Sequence, residues 1–169
     1  MMNKNLPKFK KFTDQGYLII APIPSCVLMY KQELPLLFPD NQDLMKVSKS
    51  FRDPFEFLNM LYDEGALNTD FTTQLGDISY QVACHQRVQN FGMLTKKILE
   101  LIPGTKVNAI ERCSGHDGTY GVKRETHEIA IKIARPITKS FKEANFDSST
   151  SDCSLAAHHI ENSMGNIVA

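Results

Sequence analysis

Short apolar runs alternate with helical patterns along this chain, and a cysteine stands just beyond four of the runs. Residues 17–23 form a continuous apolar run, which suits a strand buried on both faces of a parallel sheet. Pro22 and Pro24 end it, because proline cannot donate to a ladder. Ser25 then caps a helix carrying Cys26, Met29 and Tyr30. Asp53-Pro54 is a strong helix start, leading into a helix over 55–63. Residues 78–83 form a second strand that delivers Cys84, and 106–111 a third that delivers Cys113. Between them 88–102 reads as an amphipathic helix with Phe91, Leu94, Ile98, Leu99 and Ile102 on one face, closed by Pro103-Gly104. A long helical pattern over 123–144 repeats Ile129, Ile133, Ile137 and Phe141 every four residues, with Pro136 expected to kink or break it. Residues 146–151 are assigned to a strand mainly by the alternation of elements, and a last helix over 154–164 follows Cys153. Such alternation predicts an α/β fold, a mostly parallel sheet with flanking helices. In these sheets ligands gather beyond the C-terminal ends of the strands, where all four cysteines fall.

Composition narrows what those cysteines do. Lys+Arg and Asp+Glu both number 19, so the chain lacks the basic footprint of a nucleic-acid binder. The run Lys8-Phe9-Lys10-Lys11 reads as a solvated helix face. No apolar stretch approaches the ~20 residues of a membrane span, and the first residues, Met-Met-Asn-Lys-Asn-Leu-Pro-Lys, lack the apolar core of a signal peptide. The expected compartment is the cytoplasm, where thiols stay reduced and four cysteines do not form a disulfide framework. Metal ligands, reactive thiols and buried small hydrophobes remain as readings. The cysteines lie too far apart for a zinc finger or a compact ferredoxin run, so a shared site needs a folded scaffold.

The most distinctive segment is Glu111-Arg112-Cys113-Ser114-Gly115-His116-Asp117-Gly118-Thr119-Tyr120-Gly121. Gly115, Gly118 and Gly121 allow positive φ and close approach, and the loop amides can donate to the sulfurs of a bound group. His85 and His116 adjoin cysteines and are candidates for a fourth ligand, a hydrogen bond or proton transfer. His127, His158 and His159 read as surface or capping residues, and acidic Asp152 is expected to face away from its neighbour Cys153. No dinucleotide fingerprint, P-loop or serine nucleophile elbow is present, so no catalytic residue is assigned.

Ala83-Cys84-His85-Gln86-Arg87, Ile102-Pro103-Gly104, the segment 113–121 and Ser151-Asp152-Cys153, in that order, resemble one cysteine-rich CCG repeat. That repeat occurs in the B subunit of heterodisulfide reductase, in the C subunit of anaerobic glycerol-3-phosphate dehydrogenase, and in the iron–sulfur subunits of glycolate and lactate oxidases. The resemblance covers residues 79–163 and implies a three-layer, Rossmann-like CCG domain. It makes 77–169 a complete second repeat, and 1–76 the end of a first repeat plus connecting helices, with Pro24-Ser25-Cys26 as that repeat's closing cysteine motif. By position Cys84 is the opening cysteine, Cys113 heads the CCG motif and Cys153 begins the closing CxxC, with Cys26 a further metal ligand from the first repeat. Ser114 and Ala156 stand where the fullest repeat has two more cysteines, which disfavours a non-cubane cluster.

The resemblance further implies an electron-transfer subunit binding a [4Fe–4S] cluster, an oxidoreductase component rather than a complete enzyme. Its partners would be a flavoprotein dehydrogenase subunit or another iron–sulfur subunit, and a polypeptide supplying the first CCG repeat. It would touch the membrane only through a partner and would bind no nucleic acid. Three thiolates also suit a zinc ion, so a zinc-binding or metal-free structural module stays open, as does the product of a split gene.

Overall fold

The computed structural model describes residues 2–144 and 146–165; Met1, Asn145 and 166–169, parts of the two expected repeats, lie outside the described residues. The chain forms two compact units, 1–67 and 68–169. In the first, α1 (Met2–Thr13), β1 (Ile19–Ile20), α2 (Pro24–Leu28), a π-helical stretch (Met29–Glu33), α3 (Leu34–Leu37), α4 (Gln42–Ser48), β2 (Phe51–Arg52) and α5 (Pro54–Asp63) follow in order. Leu6, Tyr30, Leu44, Val47 and Phe51 form its core. The Tyr30 and Phe51 rings stack at 4.4 Å, and Phe9 meets both edge-on. Asp53 caps α5 by accepting from the Phe55 amide at 2.8 Å, while Glu56 reaches back to the Asp53 amide at 3.0 Å. The apolar run 17–23 yields only the two residues of β1, paired in parallel with β2, and Tyr17, Leu18 and Ile20 are exposed. A two-residue partner and the prolines that follow leave nothing for a longer strand to bond.

The second unit carries β3 (Asp77–Gln81), α6 (Cys84–Arg87), α7 (Leu94–Leu99), β4 (Lys106–Ile110), α8 (Arg124–Ala144), β5 (Ser148–Ser151) and α9 (Ser154–Ser163). Its sheet has the order β4-β3-β5, all parallel, in the register Gln81↔Ile110 and Gln81↔Ser151. Leu99 of α7 packs on the face that carries Ile78, Tyr80 and Val107. Helices α8 and α9 close the other face, with Ala134, Ile137, Phe141 and Ile160 against Ile110. The parallel sheet flanked by helices is the α/β fold that the alternation predicts.

Two helices differ from expectation. The pattern over 88–102 yields only α7, because Asn90 (φ 55°) and Gly92 (φ 82°) turn left-handed and interrupt the helix. Helix α8 runs unbroken through Pro136, which lies on its exposed side. Its buried face is Ala130, Ala134, Ile137, Thr138 and Phe141, while Ile129 and Ile133 are exposed. A residue every four positions drifts about 40° per step on a helix of 3.6 residues per turn, so the isoleucines wind off the core face.

Candidate metal centre

The three strands end level, so the segments that follow them share one rim. Cys84 opens α6, three residues past Gln81, and Cys113 lies three residues past Ile110. Cys153 is the N-cap of α9, two residues past Ser151. All are free thiols; Cys84 and Cys113 are exposed and Cys153 is half-buried. The Cys84 and Cys113 thiols interact: burial pushes the Cys84 thiol above its ordinary pKa, the neighbouring Cys113 adds to this, and Arg87 opposes it. Arg87 also pairs with Glu111 at 3.0 Å, joining α6 to the segment before Cys113. Both side chains are exposed, so this pair contributes only about 0–1 kcal/mol. An open cavity of about 580 Å³ lies between Cys84, Arg87, Val88, Met93 and Glu111. The Gly115 amide donates to Cys113 Sγ at 3.4 Å. Among the described residues, no three His, Cys, Asp or Glu side chains are gathered as they would be around a metal ion. Cys26, exposed on α2, belongs to the other unit.

The glycines of the loop serve different ends. Gly115 (φ +79°) is pressed onto α8, where a Cβ would lie 2.3 Å from the Ala130 carbonyl oxygen. Gly121 makes room for the His116 and His159 rings, whose Nδ1 atoms would each meet a Cβ at 3.2 Å. Gly118 (φ +50°) faces open space. Ser114 is buried, and its Oγ accepts from the His116 amide at 3.3 Å.

His85 is exposed on α6 and His116 is half-buried. His159, read from sequence as a surface residue, is buried instead, its ring 6.1 Å from that of His116 and 6.2 Å from that of His127. The Nε2 atoms of His116 and His159 are buried; His116 Nε2 has no hydrogen-bond partner, and the His159 imidazole is left only the Ala130 carbonyl. The signal was in the helical spacing: Ala156, His159 and Ile160 share one face of α9 and are all buried. Burial holds the His159 imidazole below the usual histidine range, the charges of His116 and His127 push the same way, and the Ala130 carbonyl opposes them. A depressed folded-state pKa contributes stability above the ordinary value of 6.5 that is lost as pH falls through the folded-state value. The urea midpoint is therefore expected to drop from pH ~7 to ~5, and His159→Gln is expected to flatten that drop; an unchanged slope would exclude His159 as its source.

Asp152 turns inward, into a closed ring of polar contacts that sequence reasoning missed. Tyr80 Oη meets Gln86 Oε1 at 2.8 Å, Gln86 Nε2 donates to Thr95 Oγ1 at 3.1 Å, and Thr95 Oγ1 donates to Asp152 Oδ1 at 2.9 Å. A contact between Tyr80 Oη and Asp152 Oδ2 closes the ring. Tyr80 and Thr95 both donate to the Asp152 carboxyl, and the Gln86 amide, with two N–H groups, also interacts with it. Burial pushes the Asp152 carboxyl above the ordinary carboxylate range, against the hydrogen bonds from Tyr80, Thr95 and Gln86, which favour its charged form. Asparagine keeps the shape and one acceptor oxygen, so Asp152→Asn is expected to cost less than Asp152→Ala, which leaves the partly buried Tyr80 and Thr95 hydroxyls without this acceptor and costs about 1–3 kcal/mol. Urea denaturation separates the two, and equal losses would show that the shape and acceptor kept by asparagine do not hold the ring together. The ring links α6, which begins with Cys84, to the residue before Cys153.

No helix among the described residues is long and apolar enough to cross a membrane. No protein-family model matches the chain, and no solved structure does. Over 153 residues it is 28% identical to the C subunit of anaerobic glycerol-3-phosphate dehydrogenase from Escherichia coli (strain K12), a match that covers 87% of this chain and 37% of the relative. The corresponding protein of Escherichia coli O157:H7 gives the same figures. The chain thus spans 37% of the length of the curated relatives it matches, and the similarity supports kinship with that family of dehydrogenase subunits.

Proposed function

We propose that this chain is an electron-transfer subunit, or part of one, of an oxidoreductase of the anaerobic glycerol-3-phosphate dehydrogenase type, with Cys84, Cys113 and Cys153 holding an iron–sulfur cluster. The observation that carries the reading is the level ending of three adjacent parallel strands, each followed within three residues by a cysteine. The donors fit such a group in kind: three thiols, two of them interacting, and a backbone amide on Cys113 Sγ of the sort that tunes cluster potential. When bound, a cluster supplies one-electron transfer. The protein's part would be to fix the thiols and to donate the Gly115 N–H to Cys113, with His85 and His116, neighbours of cysteines in the sequence, as candidates for a further ligand or hydrogen bond. With Ser114 and Ala156 in place of family cysteines, three thiolates suit a cubane [4Fe–4S] cluster whose fourth iron takes another ligand.

In this reading 77–169 is the C-terminal CCG repeat, and 1–76 closes a first repeat, with Cys26 a ligand there. Electrons would pass between a flavoprotein partner and a quinone or thiol acceptor, in the cytoplasm or at a membrane reached through that partner. Substrate chemistry would belong to the partner. Anaerobic reconstitution with ferrous iron and sulfide tests the proposal, the expected result being a brown protein with stoichiometric iron and acid-labile sulfide. A colourless product, or stoichiometric zinc in the purified chain, would count against it and favour a structural module.

A further inference from the structure

We infer that Gln81 is the positioning residue that fixes Cys113 and Cys153 relative to one another at the rim, an inference resting on the cluster reading above. Gln81 is the last residue of β3, the central strand, and is fully buried. A wholly buried glutamine is unusual and needs partners for both ends of its amide. Its Nε2 donates to the Val82 carbonyl at 2.9 Å and to the Arg112 carbonyl at 3.0 Å, the latter one residue before Cys113. Its Oε1 accepts from Ser151 Oγ at 2.7 Å, and that hydroxyl in turn accepts from the Cys153 amide at 3.3 Å. One side chain thus joins the peptide preceding Cys113 to the backbone nitrogen of Cys153.

The location gives this link its effect. Register pairing stops at Gln81↔Ile110 and Gln81↔Ser151, and the segments bearing the cysteines continue past it. Cys113 and Cys153 lie on opposite flanks of β3, past the last paired residues that would set their separation. The Gln81 amide reaches both sides at once, because a primary amide carries donor and acceptor on one rigid plane. Methionine keeps nearly the same volume but supplies neither group.

The test uses the full chain as wild type, Gln81→Met and Ser151→Ala, each reconstituted anaerobically with ferrous iron and sulfide. Circular dichroism and the urea midpoint before loading report folding. Gln81→Met is expected to fold, to bind iron about 10–100-fold more weakly, as loss of an outer partner does, and to show an altered electron paramagnetic resonance spectrum and midpoint potential. Ser151→Ala, which loosens only the Cys153 side, is expected to shift the same spectrum in a chain that still folds but with a lowered urea midpoint, because Gln81 Oε1 loses this partner, and it decides the question if Gln81→Met does not fold. Wild-type iron affinity and spectrum in a folded Gln81→Met, or in Ser151→Ala where Gln81→Met does not fold, overturn the inference while leaving the cluster reading intact. A wild type that takes up no iron overturns both.

Discussion

Replacing Cys113 with alanine is expected to weaken iron retention after anaerobic reconstitution by more than about 100-fold, the upper end of what losing an outer partner costs. The thiol is a ligand in the proposed site, so its loss removes a metal–sulfur bond rather than a tuning contact. Cys113 also interacts with Cys84 and receives the Gly115 amide, and no neighbouring thiol on β4 can substitute, since Ser114 is a buried serine. Cys84→Ala and Cys153→Ala are expected to behave alike, because each removes one of three sulfurs on the same rim. Cys26→Ala is expected to leave the bound iron and its spectrum unchanged, since Cys26 belongs to the other unit and is no ligand of the proposed site. Iron and sulfide analysis after desalting, with the visible spectrum, reads all four variants. A Cys113→Ala chain that keeps wild-type iron would place the metal elsewhere and remove the strand-end site from consideration.

The elements that carry this site were legible because each pairs a local pattern with a local stop. Ile78, Tyr80 and Val82 precede Cys84, and Val107 and Ile110 precede Cys113, so β3 and β4 announce themselves as apolar runs. Strand β5, Ser148–Ser151, has no such pattern, and only the alternation of elements pointed to it; its partner, β3, supplies the order that its own residues do not. The buried polar groups were illegible for a related reason. Gln81, Asp152 and His159 belong to residue types that are mostly or often exposed, and what buries each is another segment. Ser151, which bonds Gln81, lies 70 positions away, and Asp152 lies 72 from Tyr80. Asp152 was expected to turn from a thiolate because both carry negative charge. Its partners Tyr80 and Thr95 draw the carboxyl inward, and no local pattern announces such a ring.

Gly115→Ala is expected to destabilise the unit spanning 68–169 by roughly 2–5 kcal/mol, a large part of the ~5–15 kcal/mol that holds a domain folded. Two costs combine. At φ +79° an alanine occupies the left-handed region, which disfavours a side chain by about 1–2 kcal/mol. Its Cβ would also stand 2.3 Å from the Ala130 carbonyl oxygen and 3.1 Å from the Ala134 nitrogen, both main-chain atoms of α8. Backbone inside a 21-residue helix cannot step aside as a flexible side chain can, so the loop or the helix must shift, an overpacking cost of about 1–3 kcal/mol. Gly118→Ala isolates the first cost, because its φ of +50° is also left-handed but nothing lies within 4 Å of its added carbon. It is expected to cost only about 1 kcal/mol. Urea denaturation of the full chain, followed by circular dichroism, compares the two. Equal losses would show that the loop does not rest on α8 as described. A larger loss at Gly115 would mean that the glycine beside Cys113 is required by helix packing whether or not a metal is present, so that cluster binding exploits a loop the fold had already drawn tight.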